Sequence, residues 1–231
     1  MKTLTIIIPT YNEEKTIAEV ARKVYAAETP GFLKEIIVVN DGSTDGTMDT
    51  LRSLSLKLPF TLISHVRNRG KGAAIRTGIK RAKGHAILIQ DADLELTPDD
   101  YVNLLEVFSD EVPIVYGSRN LLLQNSKNRK IAYSLGGKTL TGIFNILYGT
   151  DITDINTAYK LFRSDIIKKI SLDGDGFEFC EEVTAKVTRR GYAIKEVPIR
   201  YFPRSFSEGK KLRLKDGAIG FWTILRYRFW R

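Results

Sequence analysis

Apolar runs rich in Ile and Val recur at Leu4–Ile8, Ile36–Val39, Thr61–Ile63, Ala86–Ile89 and Val112–Val115. Between them lie segments with helical spacing, over roughly Glu13–Ala26, Thr47–Ser53, Gly72–Ala82 and Pro98–Phe108. Near-continuous apolar strands alternating with helices predict a mostly parallel sheet with helices on both faces. The helix at Pro98 has the clearest start: Thr97 can cap it, proline fits its first turn, and Asp99 and Asp100 suit the positive end of the helix dipole. Beyond Tyr116 the alternation weakens. Helices are expected over Ala132–Leu147 and Glu178–Arg190, with Gly191 as a stop, and a last strand over Ala193–Ile199 precedes a basic tail. One domain is expected, in three parts: 1–116, 117–206, and a basic, aromatic C-terminal helix over 207–231.

The polar residues fall where such a sheet gathers a site. Pro9-Thr10-Tyr11-Asn12-Glu13 follows the first strand, Asn40 to Gly46 (NDGSTDG) the second, His65-Val66-Arg67-Asn68 the third, and Asp91-Ala92-Asp93 the fourth. All four turns lie at C-terminal strand ends, the edge at which open parallel sheets bind ligands. In ILIQDAD the strand ends on two carboxylates two residues apart, which project to one side of an extended backbone and can share a hard cation such as Mg²⁺ or Mn²⁺. Turn and capping roles are the competing reading of any single aspartate here. Asp41 is a candidate acceptor for a nucleobase edge. Arg67, Arg69 and Lys71 are candidates to neutralise phosphate near a helix N-terminus. Gly70-Lys71-Gly72 is no dinucleotide fingerprint, because Ile75 occupies its last glycine position and the motif follows the third strand.

Composition narrows the class. The single cysteine, Cys180, excludes an internal disulfide and a cysteine-based zinc centre, and two histidines leave little for a histidine-rich metal site. The N-terminal residues lead straight into a strand pattern, without a basic-then-apolar leader, and no apolar stretch has transmembrane length; a cytoplasmic chain, peripheral at the cytoplasmic face of the membrane, is expected. The net charge is +9, and residues 200–231 carry +7 of it, with nine Lys or Arg against Glu208 and Asp216. Such a tail attracts nucleic acid, anionic lipid or a phosphorylated substrate. Nucleic acid is disfavoured, since the aromatic residues form no stacking platform and the acids gather at the predicted site.

The blocks IIIPTYNEEKTI, VVNDGSTDGT, NRGKGAAIRTG, IQDADLE and GSRN, in this order and spacing, resemble family 2 glycosyltransferases of the GT-A fold. TDINTAYKLFRSD, GFEFCEEVTAKVTRRGY and EVPIRYFPRSFSEGKK extend the likeness to the polyprenyl-phosphate branch, which includes dolichyl-phosphate mannose and glucose synthases. The resemblance implies that Pro9, Tyr11, Glu13 and Asp41 contact the donor nucleoside and that Lys71 lies near the donor. It implies that Asp91 and Asp93, supported by Gln90, hold Mg²⁺ or Mn²⁺ on its diphosphate, and that Arg119 approaches the phosphates or the acceptor. Lys130 and Ser134 stand for the branch's basic-x-x-x-Ser pair, in which arginine is more usual first, so neighbouring Arg129 shares the assignment. Asn40 stands where the commoner motif has aspartate.

The chemistry implied is inverting transfer of a hexose from a UDP- or GDP-sugar to a polyprenyl phosphate. A lipid monophosphate, with a second pKa of about 6, is largely anionic at neutral pH and needs charge stabilisation rather than a base. Arg119, Arg129, Lys130, Arg204, Lys210 and Lys211 offer that charge. An alcohol acceptor would need a carboxylate base; Asp154, in TDIN, is the candidate for that role or for holding sugar hydroxyls, with helix capping the alternative. The rival readings are a family 2 enzyme acting on a glycan hydroxyl, a nucleic-acid-binding module, and a silent nucleotide-sugar binder. From Gly217 to Arg231, aromatic and aliphatic residues are punctuated by Arg226, Arg228 and Arg231, which suits a helix on anionic lipid. The alternative is docking on the body, a partner membrane protein or a second copy of the chain.

Overall fold

The computed structural model describes residues 1–122, 131–204, 211 and 214–230, with backbone alone at 131–135 and 214. Seven strands form one sheet: β1 (Lys2–Thr10), β2 (Phe32–Asn40), β3 (Thr61–Ser64), β4 (Ala86–Ile89), β5 (Ile114–Ser118), β6 (Lys160–Arg163) and β7 (Lys195–Pro198), in the order β3-β2-β1-β4-β6-β5-β7. The helices are α1 (Ile17–Ala26), α2 (Thr47–Ser55), α3 (Lys71–Arg81), α4 (Tyr101–Val107), α5 (Ile131–Tyr148), α6 (Ser164–Lys168), α7 (Phe179–Arg189) and α8 (Leu214–Phe229).

Both faces of the central strands are buried, which explains their unbroken apolar sequences. Leu4, Ile6 and Ile8 of β1 point into one core with Val20 and Val24 of α1 and Leu104 of α4; Ile7 points into the other with Ala74, Ile75 and Ile79 of α3 and Val183 and Val187 of α7. A third cluster, of Phe144, Ile152, Ile155, Ala185, Ile224 and Tyr227, seats α5 and α8 against α7. The sheet is parallel except for β6, which runs antiparallel between β4 and β5. No strand was expected there: KLFR is short, begins on a lysine and follows a polar loop. It is inserted because Lys160, fully buried, donates to the carbonyls of Ile155 (2.8 Å) and Thr157 (2.7 Å) and lies 4.2 Å from the Tyr116 ring centroid.

Element boundaries depart from the expected ones for local reasons. Helix α1 starts at Ile17 instead of Glu13, because the Glu13 carbonyl closes a turn onto the N–H groups of Thr16 and Ile17. The helix expected from Pro98 opens with a 3₁₀ turn, Pro98–Asp100, in which Thr97 accepts from the Asp99 N–H as a cap, and continues as α4. Asp100 does more than complement a dipole: buried, it accepts from the backbone N–H of Arg200 (2.7 Å) and its Nε (2.9 Å). Strand β5 begins and ends later than expected, since Gly117 and Ser118 pair with Val197 and Pro198. That extension carries Arg119 to the C-terminal edge.

Candidate active site

The chain order of neighbouring strands reverses at β1, with β2 on one side and β4 on the other, the place where an open α/β sheet forms its ligand crevice beyond the C-terminal strand ends. Asp91 and Asp93 leave β4 into this crevice with about a fifth of each side chain exposed. The Lys71 ammonium lies 2.6 Å from Asp91. Burial works against the Lys71 charge, but Asp91 outweighs it and its pKa is raised. Burial, with repulsion from Asp91 and Glu95, pushes the Asp93 carboxyl up to about 7 against the pull of Arg204. Arg204 bridges Asp93 (3.2 Å) and Glu13 (3.1 Å), and Lys211 binds Glu13 at 2.6 Å and donates to the Tyr11 carbonyl. The tight turn after Asp93 places Leu94 at φ +61, a left-handed conformation costly for a leucine, and returns the Glu95 N–H to Asp93 at 3.0 Å. Thr16 donates to the Ala92 carbonyl (2.7 Å) and ties α1 to the same turn.

Beneath these groups lies a second layer whose side chains are already engaged. The buried Asp41 carboxylate accepts from the backbone N–H groups of Arg69 (3.0 Å) and Gly70 (2.8 Å) and lies 2.6 Å from Nδ1 of His65. It therefore fixes the loop between β3 and α3. Gly42, at φ +66, lets that loop approach: a Cβ there would stand 2.4 Å from the carbonyl carbon of Arg67. Asn40 accepts from Ser43 Oγ (2.6 Å) and donates to Ser64 (3.0 Å), so the amide joins two strand-end loops. Gln90 turns inward: its oxygen accepts from Tyr101 (2.6 Å) and Tyr159 (2.7 Å), and its nitrogen donates to the Asp91 carbonyl (2.8 Å). It supports the Asp91 turn from below and presents no oxygen to the crevice.

Arg119 and Asp154 form a bidentate pair, with Nε and Nη2 each donating at 2.7 Å, and the Arg119 guanidinium lies 5.2 Å from the Tyr201 ring centroid. Burial alone would raise the Asp154 pKa; Arg119 reverses this and holds it below the ordinary value. Glu196 fixes the turn, accepting from the N–H groups of Thr153 (2.6 Å) and Asp154 (3.0 Å). Arg67 and Arg69 are exposed, and the N-terminus of α3 beside them is capped within the protein: Gly72 and Ala73 N–H donate to the carbonyls of Gly176 and Asp175 (3.1 Å each). Pro9 is the penultimate residue of β1, at its C-terminal end. Arg129, Lys130 and Lys210 lie outside the described residues, as does the side chain of Ser134.

The structure thus brings together Glu13, Lys71, Asp91, Asp93, Arg204 and Lys211. Tyr101, Tyr159, Glu95 and the 173–176 loop also shape the site and were not singled out from sequence; the alternating glycines of Asp173-Gly174-Asp175-Gly176 are the signal from which close approach is legible. Asp91 and Asp93 suit a hard divalent cation: two partly exposed carboxylate oxygen donors stand in surplus negative charge, open to solvent and ligand on one side. Among the described residues no group of three His, Cys, Asp or Glu forms a closed metal cage, so further ligands would come from water or a bound diphosphate.

The family model described as glycosyl transferase family 2 matches residues 5–171. A dolichol-phosphate mannosyltransferase of Pyrococcus furiosus is 28% identical over 90% of this chain, which spans 58% of that relative's length. A polyprenol monophosphomannose synthase of Mycolicibacterium smegmatis is 31% identical over 89% of this chain and 79% of its own. Among solved structures, glucosyl-3-phosphoglycerate synthase of Mycobacterium tuberculosis with UDP covers all of this chain and 81% of its own at a TM-score of 0.76 and 17% identity. The same protein with Mn²⁺, UDP and glucosyl-3-phosphoglycerate gives 0.74 at 18% identity, again over all of this chain and 81% of its own. These likenesses show the fold, GT-A.

Proposed function

We propose the following activity for this chain, which belongs to glycosyl transferase family 2: it moves a hexose, glucose or mannose, from a UDP- or GDP-sugar to a polyprenyl or dolichyl phosphate, with inversion. The observation that carries the proposal is the joint placement of Asp91, Asp93, Lys71 and Glu13 at the strand crossover, with Arg204 and Lys211 drawn in from the basic C-terminal segment. Asp91 and Asp93 would hold Mg²⁺ or Mn²⁺, which when bound stabilises negative charge developing on the leaving nucleoside diphosphate. Lys71 adds a positive charge on the donor side. Arg204, which pairs with Asp93 and Glu13, would be a second cationic group for phosphate. Arg119, held by Asp154, adds positive charge on the acceptor side.

The phosphate acceptor is favoured over an alcohol by the state of Asp154. A carboxylate locked to a guanidinium and held below its ordinary pKa is a poor proton acceptor. A phosphate monoester asks only for charge stabilisation. Relatives that include dolichol- and polyprenol-phosphate mannosyltransferases support this acceptor class.

The test is product analysis with a panel of UDP- and GDP-sugars and a short polyprenyl phosphate in Mn²⁺. A lipid-linked hexose is expected; efficient transfer to an alcohol with no lipid-linked product would reverse the assignment. Asp91→Asn and Asp93→Asn should each lower turnover by about 100-fold or more, in line with losing charge stabilisation worth several kcal/mol. Unchanged turnover in either variant would remove that residue from the cation grip.

A further inference from the structure

The loop at 173–176 is the molecule's substitute for a missing helix cap. Helix α3 begins after Gly70, which has no side chain to accept from the first-turn N–H groups. Those groups are instead met by loop carbonyls: Gly72 N–H by Gly176 and Ala73 N–H by Asp175 (3.1 Å each), while Arg76 of the same helix donates to Gly174. The fit leaves no room on the helix side. A Cβ on Gly70 would stand 2.2 Å from the Asp175 oxygen, and one on Gly72 would stand 2.3 Å from the Gly174 oxygen. Lys71 lies between these two glycines, 2.6 Å from Asp91 and 5.7 Å from the Phe177 ring centroid, so the loop's position sets where that ammonium points.

The Asp173–Gly174 end of the loop is gripped by Glu182, while Glu178 accepts from the Gly176 N–H (2.9 Å). Glu182 of α7, fully buried, accepts from the N–H groups of Asp173 and Gly174 (2.8 Å each) and from Lys186 (2.6 Å). Its fourth partner comes from the C-terminal helix: the Tyr227 hydroxyl donates to it at 2.8 Å. We propose that Glu182 is a positioning residue for Lys71, and that Tyr227 makes the seating of α8 part of the same support. The chain of contacts runs from Tyr227 through Glu182 and the 173–176 loop to the first turn of α3, and every link is a direct hydrogen bond. This assigns to the C-terminal helix a role in the donor side of the site, reached through the protein interior. The inference rests on the donor-side reading of Lys71 given above.

The test uses Glu182→Gln, which keeps the shape but turns one acceptor into a donor facing a backbone N–H, and Tyr227→Phe, which removes only the hydroxyl. Amide hydrogen exchange is followed in the first turn of α3 and, as an internal reference, in β1. Exchange at Gly72 and Ala73 should accelerate at least tenfold in Glu182→Gln and by a smaller factor in Tyr227→Phe, with β1 unchanged. Unchanged exchange at Gly72 and Ala73, or equal acceleration in β1, would overturn the positioning role. An effect in Glu182→Gln without one in Tyr227→Phe would remove α8 from the relay. Should Glu182→Gln fail to fold, Tyr227→Phe decides the relay by the same readout. A second arm measures binding of UDP and GDP with Mn²⁺: Glu182→Gln should weaken it about tenfold in the wild-type background and not at all on top of Lys71→Ala. Additive losses would overturn the link to Lys71. A wild-type chain that binds neither nucleotide would sink the proposed activity, while the exchange arm would still decide whether Glu182 holds the α3 turn.

Discussion

Asp154 and Glu181 are both buried acids, and their neighbours send them in opposite directions. Asp154 is matched by Arg119 and stays charged. Replacing it in Asp154→Asn would leave a buried guanidinium without its counter-charge, a loss of about 3–5 kcal/mol in unfolding free energy by denaturant titration. Glu181 has the Asn156 amide as its hydrogen-bond partner, and burial pushes its pKa from 4.5 up to about 7. The folded protein therefore holds this proton more tightly than the unfolded chain. Stability from this group is present in full below about pH 4.5 and is lost as pH rises to about 7, amounting to roughly 3 kcal/mol. Glu181→Gln cannot titrate, so its stability relative to wild type should climb across that window. Urea titrations of both proteins at pH 4.5 and 8 check the sign, and parallel profiles would show that Glu181 ionises normally.

At the scale of elements, α3 carries the most consequence for the site, because it presents Lys71 and lies directly on β1. A Cβ on Gly78 would stand 2.4 Å from Cγ2 of Ile7, with two more Ile7 carbons at 3.1 Å. Gly78→Ala should push the helix off the sheet and cost about 1–3 kcal/mol by overpacking, read as a lower urea midpoint. The elements that sequence periodicity marked well are those with both faces buried, β1, β2 and β4, and helices with one apolar stripe. Strand β6 escaped because KLFR flanks two apolar residues with two basic ones, where β4 of the same length is apolar throughout, and its place in the sheet depends on a lysine finding two carbonyls. The 173–176 loop escaped for a related reason: its contribution is made by backbone carbonyls, which carry no residue identity.

At the scale of the whole molecule, α8 docks on the body with only part of its surface. Gly220, Thr223, Ile224 and Tyr227 recur at helical spacing and are buried, while Ile219, Phe221, Trp222, Phe229 and Trp230 remain exposed beside Arg226 and Arg228. One face docks on α7 and α5; the rest faces outward, so apolar residues wrap round the helix instead of forming one stripe. Among the described residues no helix is long and apolar enough to cross a membrane. Exposed aromatic residues with arginines suit an anionic lipid surface. The chain should co-sediment with phosphatidylglycerol-containing vesicles more than with phosphatidylcholine vesicles, less so at high salt, and Trp222→Ala with Trp230→Ala should reduce it several-fold. Equal recovery in the supernatant with both vesicle types would assign this face to a protein partner.

The sequence by itself determined the alternation of strands and helices, the edge on which the polar turns collect, and the pair Asp91 and Asp93, because each depends on local period or on residue type at a strand end. Tertiary structure alone decided which of those polar groups face the crevice. Asp41 and Gln90 have the right chemistry for a ligand, yet their side chains are engaged by His65, two backbone N–H groups, two tyrosines and a carbonyl. Arg204 and Lys211, nearly 200 residues from Glu13, meet it only when the chain is folded. The physical reason is the range of the interactions: burial pattern and backbone geometry are written within a few residues, whereas the partner that satisfies a buried charge can come from anywhere in the chain.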